Sequence, residues 1–213
     1  MTDIKGWRQQ IVAEKSLWQI FRRSPGFWEQ PFHRAIMTIT GLGLTTFSAL
    51  HLTKPGWLVL PTFSVQETIL AWANLGLTYS VTMLAFLLAG FTVFSTITKP
   101  QLFAELAQVA HPESTLSEFQ YIFFSFMNVF IHYLTYMSVC AIILLFANNG
   151  GPLILLGECM KLASPTGFSV FQFTTLAVLG TWTILLFLKL KSFIYNLYAM
   201  IIVVVLHENQ DEK

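Results

Sequence analysis

The strongest polar pattern of the chain lies inside an apolar segment beyond its midpoint. Four polar side chains recur there at intervals of three or four residues, which places them on one face of a helix: Ser125, Asn128, His132 and Tyr136. Because polar groups in hydrocarbon need hydrogen-bond partners, we expect this face to look into a helical bundle or across a subunit contact. The stripe predicts interhelical hydrogen bonds that fix packing. The alternative is a proton or ion path in which His132 titrates, and the lack of acidic residues in the apolar segments favours the packing interpretation.

Enzyme chemistry is not predicted. The sequence contains no HExxH, no Walker-type phosphate loop, no GxSxG and no cysteine pair at metal-binding spacing. His111 lies near Glu113, and His207 precedes Glu208, but neither pair has a nucleophile or a third ligand nearby in the sequence. We therefore expect no catalytic residue, no metal site and no cofactor.

The composition indicates a membrane protein. Of 213 residues, 54% are hydrophobic and only 11% are charged, whereas soluble chains carry about 25% charged residues. This balance excludes an ordinary soluble enzyme, a disordered chain and a disulfide-rich secreted module. The net charge of +1 gives no basic surface for nucleic acid, so no direct nucleic-acid contact is expected.

Four stretches are long and apolar enough to cross a bilayer, which takes about 20 residues of helix. They cover residues 35–52, 68–97, 119–147 and 168–188. The predicted fold class is therefore an all-α integral membrane protein with four transmembrane helices. Thr115 and Glu118 match a capping box that would begin the third span.

The fourth apolar run continues from Phe168 to about Leu206, too far for a single span. We expect its two lysines at the headgroup boundary and the helix beyond them in the cytoplasm. That extension is apolar nearly all round, so it must be buried against another surface. We therefore predict that this extension, together with an acidic cytoplasmic loop, contacts another copy of the chain or a partner protein. The predicted contact residues are Lys189, Lys191, Tyr195, Tyr198, Glu105 and Glu113.

The N-terminal segment predicts an amphipathic helix over residues 4–22 that lies in the headgroup plane. Basic side chains and tryptophans at helical spacing favour contact with anionic lipid. The predicted lipid-interface residues are Trp7, Arg8, Lys15, Trp18, Arg22, Arg23 and Trp28.

The distribution of lysine and arginine sets the expected topology. Ten of the 12 basic residues fall on one side of the four predicted spans, and only Lys54 and Lys161 fall on the other. The positive-inside rule then places both termini in the cytoplasm. The expected organisation is a cytoplasmic interfacial segment at 1–34, a transmembrane domain at 35–188 with a cytoplasmic loop at 98–118, and a cytoplasmic helical extension and tail at 189–213.

With this layout, the chain resembles the KwaA family, the membrane subunit of the bacterial Kiwa antiphage defence system. The resemblance rests on the length, the four spans, the cytoplasmic termini and the aromatic-rich third span YIFFSFMNVFIHYLTYMSV, from Tyr121 to Val139. It implies a homo-oligomer, a tetramer, in the inner membrane. It also implies a cytoplasmic DNA-binding effector (KwaB-like) as partner and a role in sensing phage attack at the envelope.

The expected function is that of a non-enzymatic oligomeric membrane subunit that senses envelope disturbance and anchors or signals to a cytoplasmic effector. Two alternatives remain open. One is a small homo-oligomeric ion channel lined by the polar face of the third helix. The other is an assembly subunit of a larger membrane complex.

Overall fold

The architecture comes from a computed structural model, which describes residues 31–53, 65–97, 100–111, 116–147 and 151–211. Within these ranges the chain is all-helical, and its only strand-like pairing is an isolated bridge between Ala110 and Ser117. The helices are α1 (Pro31–Thr53), α2 (Val65–Ile97), α3 (Pro100–Leu106), α4 (Glu118–Phe146), α5 (Pro152–Ala163) and α6 (Pro165–Asp211).

Three of these helices are long and apolar enough to cross a membrane. The qualifying segments are Val65–Thr96 of α2, Glu118–Phe146 of α4 and Pro165–Ile202 of α6. They support an integral membrane protein. The first predicted span falls within α1, which is helical as expected but is not among the three, so the count of four spans stays a prediction.

Several expectations fall on residues outside the described ranges. They are the amphipathic helix at 4–22, all the proposed lipid-interface residues (Trp7, Arg8, Lys15, Trp18, Arg22, Arg23 and Trp28) and Glu113 of the acidic loop.

Local sequence explains where the helices begin. Proline is the first residue of α1, α3, α5 and α6, a position where its fixed φ is suitable and its missing N–H costs nothing. Before α6, the Ser164 hydroxyl accepts a hydrogen bond from the Gly167 amide at 3.2 Å. At α4, a reciprocal capping box joins Ser117 and Gln120, with both bonds at 3.3 Å. It lies two residues later than the predicted box, whose Thr115 is outside the described ranges.

Helix α6 runs without a break for 47 residues. At 1.5 Å per residue it is about 70 Å long, more than twice the hydrocarbon thickness of roughly 30 Å. The apolar segment after Lys191 therefore continues the same helix. The 12-residue helix α5 was not predicted, because it is too short to span a membrane and follows a turn-like Asn-Gly-Gly sequence.

The described residues form two compact units, and each long helix contributes to both. The lysine unit, named for Lys189, comprises 84–97, 100–111, 116–132 and 188–211. The tyrosine unit, named for its buried tyrosines, comprises 31–53, 65–83, 133–147 and 151–187. The lysine unit packs aromatic rings at its core, including Phe94, Phe126 and Phe193.

Candidate functional site

A lysine side chain is buried inside the lysine unit. Lys189 of α6 is only 3% exposed, and its Nζ donates a hydrogen bond to Oδ1 of Asn128 on α4 at 3.2 Å. Asn128 is itself 7% exposed. A buried ammonium is tolerated only where polar groups replace its hydration, so the position of Asn128 determines where Lys189 can lie. An ionisable side chain within an apolar helix is also a default candidate for function.

His132 lies one turn along α4 from Asn128. Its Nδ1 is 2.8 Å from the Asn128 carbonyl oxygen, and the ring interacts electrostatically with Lys189. The imidazole is therefore anchored to its own helix, close to the buried ammonium. Asn128 and Lys189 thus join α4 to α6, and His132 lies one turn from Asn128 on α4.

A second polar pair joins the same two helices. Asn196 of α6 donates from Nδ2 to the Ser125 hydroxyl of α4 at 3.0 Å. It lies seven residues, or about two turns, beyond Lys189 on α6. Aromatic packing accompanies the pairs, with the rings of Phe126 and Phe193 5.0 Å apart. Helices α4 and α6 are thus held in the lysine unit by two polar contacts set in an apolar, aromatic interface.

The tyrosine unit joins α4 to α6 with phenols instead. Tyr136 donates to Thr183 Oγ1 at 2.7 Å, since that hydroxyl itself donates to the Leu179 carbonyl at 2.8 Å. Tyr133 donates to the Leu186 carbonyl at 3.1 Å, and Tyr79 of α2 approaches the Tyr133 hydroxyl at 3.0 Å. Tyr133 and Tyr136 are fully buried, so their hydroxyls would be costly without these partners.

Helix α2 approaches α4 closely in the tyrosine unit. A Cβ atom added at Gly76 would lie 2.8 Å from Cε1 of Tyr136 and 2.9 Å from Sγ of Cys140. The absence of a side chain at Gly76 therefore makes room for a tyrosine and a cysteine. Small residues at Ala73, Gly76 and Ser80 share this helix face and are buried.

The predicted polar stripe is used for contacts inside the chain. Ser125, Asn128 and Tyr136 each bond to a side chain of α6, and His132 bonds to the backbone of α4. Ser125, Asn128 and His132 belong to the lysine unit, whereas Tyr136 belongs to the tyrosine unit. Because these groups already bond within one chain, the stripe lends no separate support to a pore.

Of the residues that were expected to contact a partner, one is buried and the other described ones are exposed. Lys189 is buried at the Asn128 site, so it does not lie on an outer surface as expected. Lys191, only two residues later, is exposed because successive positions on a helix turn by about 100°. Tyr195 and Tyr198 are 70% and 62% exposed. Glu105 of α3 is also exposed.

Sequence reasoning missed three contributors to these contacts. Asn196 is the partner of Ser125, and the signal was a lone amide in an apolar run, seven residues after Lys189. Tyr133 lies directly beside His132 but off the polar stripe. Gly76 belongs to a row of small residues on α2, a pattern typical of close helix packing.

The described residues contain no group of three or more His, Cys, Asp or Glu side chains that could hold a metal ion. Cys140 is buried and Cys159 is exposed, and both are free thiols. The hydrogen bonds described above hold α4 and α6 in position, and the exposed side chains of α6 form a surface.

Comparison with protein-family models, with curated proteins and with solved structures finds no match for this chain.

Proposed function

We propose that the chain is a non-enzymatic integral membrane subunit that forms a homo-oligomer and anchors or signals to a cytoplasmic effector protein. The observation that carries this proposal is the outer face of α6 in the lysine unit, here called the outward stripe. Its members are exposed and follow helical spacing: Lys191, Ile194, Tyr195, Tyr198 and Ile202.

The outward stripe presents exposed side chains of this helix segment to another molecule. The opposite side is filled by Phe193, Met200 and Val204, which are between 2% and 5% exposed. In a cytoplasmic extension, the rings of Tyr195 and Tyr198 and the isoleucine side chains expose apolar area to water, which is typical of a contact surface. A second protein surface would cover this apolar area.

We assign the outward stripe to a second copy of this chain. Lys191 provides positive charge on the stripe, and the same unit exposes Glu105 on α3. Each copy thus exposes a positive and a negative side chain, so that the face bearing Lys191 on one copy is complementary in charge to the face bearing Glu105 on the next. Such a head-to-tail contact closes into a ring when the rotation between copies allows it. A ring agrees with the tetramer implied by the resemblance to KwaA.

The remaining parts of the proposal come from the sequence. The basic N-terminal segment contacts anionic lipid, and both termini lie on the cytoplasmic side of a bacterial inner membrane. A KwaB-like effector binds there, and disturbance of the envelope by phage is transmitted to it. No catalytic residue takes part.

Disulfide trapping between differently tagged full-length chains tests the contact. Cys159→Ser removes the exposed native thiol. One chain then carries Lys191→Cys and the other Glu105→Cys. We expect a covalent dimer bearing both tags after oxidation in native membranes. Pairing Met200→Cys with Glu105→Cys is the matched control, and it should give no dimer because Met200 is buried.

Two results would contradict the proposal. One is the absence of any mixed dimer with Lys191→Cys together with a monomeric mass for the unmodified chain. The other is an equal yield of dimer from the Met200→Cys control, which would indicate random collision.

A further inference from the structure

We propose that the two polar pairs of the lysine unit fix the rotation and register of α6 against α4, and thereby decide which side chains form the outward stripe. We call these two pairs the polar lock: Lys189 with Asn128, and Asn196 with Ser125. Asn128 and Lys189 are positioning residues, because they act on a partner contact that they do not touch. The consequence for assembly rests on the function proposed above, whereas the lock itself does not.

The two pairs constrain different motions because they lie at different levels of one helix pair. A single hydrogen bond would still allow α6 to pivot about it. Two bonds separated by about two turns of α6 oppose both rotation about the helix axis and sliding along it. Each bond joins side chains from both helices, so neither can be kept when one helix moves alone.

The apolar contacts of this unit cannot supply the same restraint. The neighbouring buried residues on α4 include Phe124, Phe126 and Val129. Aromatic and aliphatic side chains exchange neighbours at little cost when the total volume is kept. A displaced Lys189 would instead bring its ammonium against these apolar groups and away from Asn128, which is costly in a dry interior. The charged pair therefore selects one arrangement among several that the apolar residues tolerate.

Register determines the surface because buried and exposed residues alternate closely along α6. Lys189 is 3% exposed, while Lys191 is exposed two positions later. Met200 is 3% exposed, while Tyr198 is 62% exposed. A rotation of one residue, about 100°, would move the tyrosine away from the outer face. Loss of the polar lock should therefore move side chains of the outward stripe away from the outer face of α6.

An intrachain disulfide reports the register directly. In full-length protein carrying Cys140→Ala and Cys159→Ser, we use Ser125→Cys with Asn196→Cys as the matched pair. Ser125→Cys with Tyr195→Cys is the mismatched pair, since Tyr195 points outward. Both cysteine pairs replace Ser125 but retain Lys189 and Asn128. Substitutions of Lys189 and Asn128 can therefore be combined with either cysteine pair. With Asn128 intact, oxidation in native membranes should join the matched pair and leave the mismatched pair reduced.

The variants of Asn128 and Lys189 then separate register from stability. Asn128→Leu should lower the ratio of matched to mismatched disulfide by about tenfold or more, since it removes the side-chain oxygen that accepts from Lys189. Asn128→Asp, which keeps an acceptor, should preserve the ratio. The double variant Asn128→Leu with Lys189→Met should accumulate like the parent protein, because apolar replacement of a buried pair is tolerated, and should still show the lowered ratio.

Three outcomes would overturn the proposal. The first is an unchanged ratio in the double variant, which would mean that apolar packing alone sets the register. The second is failure of the double variant to accumulate, which would make the pair a requirement for stability. The third is a lowered ratio in Asn128→Asp. Because the disulfide forms within one chain, a changed ratio supports the lock even where trapping between copies fails, so the two proposals fail separately.

Discussion

The lysine unit and the tyrosine unit both join α4 to α6 through side-chain hydrogen bonds, but with different chemistry. The lysine unit uses an ammonium and two amides, at Lys189, Asn128 and Asn196. The tyrosine unit uses phenols, at Tyr133 and Tyr136. A phenol that loses its partner leaves one neutral hydroxyl in an apolar site. An ammonium that loses its partner leaves a charge there, at much greater cost.

This difference indicates that the two units have different tasks. Phenols add hydrogen bonds to large rings that already fill space, so the tyrosine unit combines packing with modest directionality. The buried lysine contributes a strict positional requirement. The tyrosine unit is therefore expected to be sensitive to volume, and the lysine unit to polarity.

The largest expected effect tests the sensitivity of the tyrosine unit to volume. Gly76→Leu should destabilise the protein by about 3 kcal/mol, because even a Cβ at this position would contact Tyr136 and Cys140 at less than 3.0 Å. The free energy of unfolding in a mild detergent is the measurement. Gly43→Leu is the control, since nothing lies within 4 Å of a Cβ there. Equal losses in both variants would contradict the close contact at Gly76.

The next effect tests the sensitivity of the lysine unit to polarity. Asn128→Ala should cost about 2–3 kcal/mol, the value of a hydrogen bond to a charged group, because Lys189 loses an acceptor in a buried site. The same unfolding measurement applies. Lys189→Met combined with Asn128→Leu should recover most of that loss. If the double variant were less stable than Asn128→Ala, the buried charge would not be the cause.

A smaller effect is expected for the phenols. Tyr136→Phe removes the 2.7 Å hydrogen bond to Thr183 while keeping the ring, and should cost about 1 kcal/mol. Thr183→Val and the double variant complete a cycle that isolates the coupling between the two hydroxyls. A loss as large as that of Asn128→Ala would remove the proposed difference between the units.

The smallest effect on stability is expected at the outward stripe. Tyr198→Ala should change the free energy of unfolding by no more than about 0.5 kcal/mol, because the side chain is 62% exposed. It should nevertheless reduce trapping between Lys191→Cys and Glu105→Cys chains. A large loss of stability in the monomer would instead place Tyr198 in the core of its own chain.

The long helices were predictable because their apolar runs are about 30 residues long or longer and contain no proline. Helix α2, α4 and α6 are found where spans were expected. The 12-residue α5 gave no comparable signal, since its length is typical of both loops and short helices. Helix α4 begins at Glu118, one residue before the predicted span at 119–147, and Ser117 and Gln120 form the capping box that the structure describes there.

The site was only partly predictable, since a helical stripe defines one face but not its partner. The spacing of Ser125, Asn128 and His132 indicated a common face, yet it did not identify α6 as the opposing helix. Lys189 was expected at the headgroup boundary, because an isolated lysine in an apolar run usually extends to water. Its buried Nζ donates to Asn128, which is more than 60 residues away in sequence. Such long-range pairing leaves no local pattern.

The mass of the intact assembly shows whether the outward stripe joins copies of this chain. Full-length protein in lipid nanodiscs should be measured beside Tyr195→Ala combined with Tyr198→Ala. We predict a homo-oligomer for the unmodified chain, with four copies as the expected number, and a shift to smaller species for the double variant. A monomeric unmodified chain, or an assembly of the same mass in both proteins, would mean that the outward stripe does not join copies of the chain.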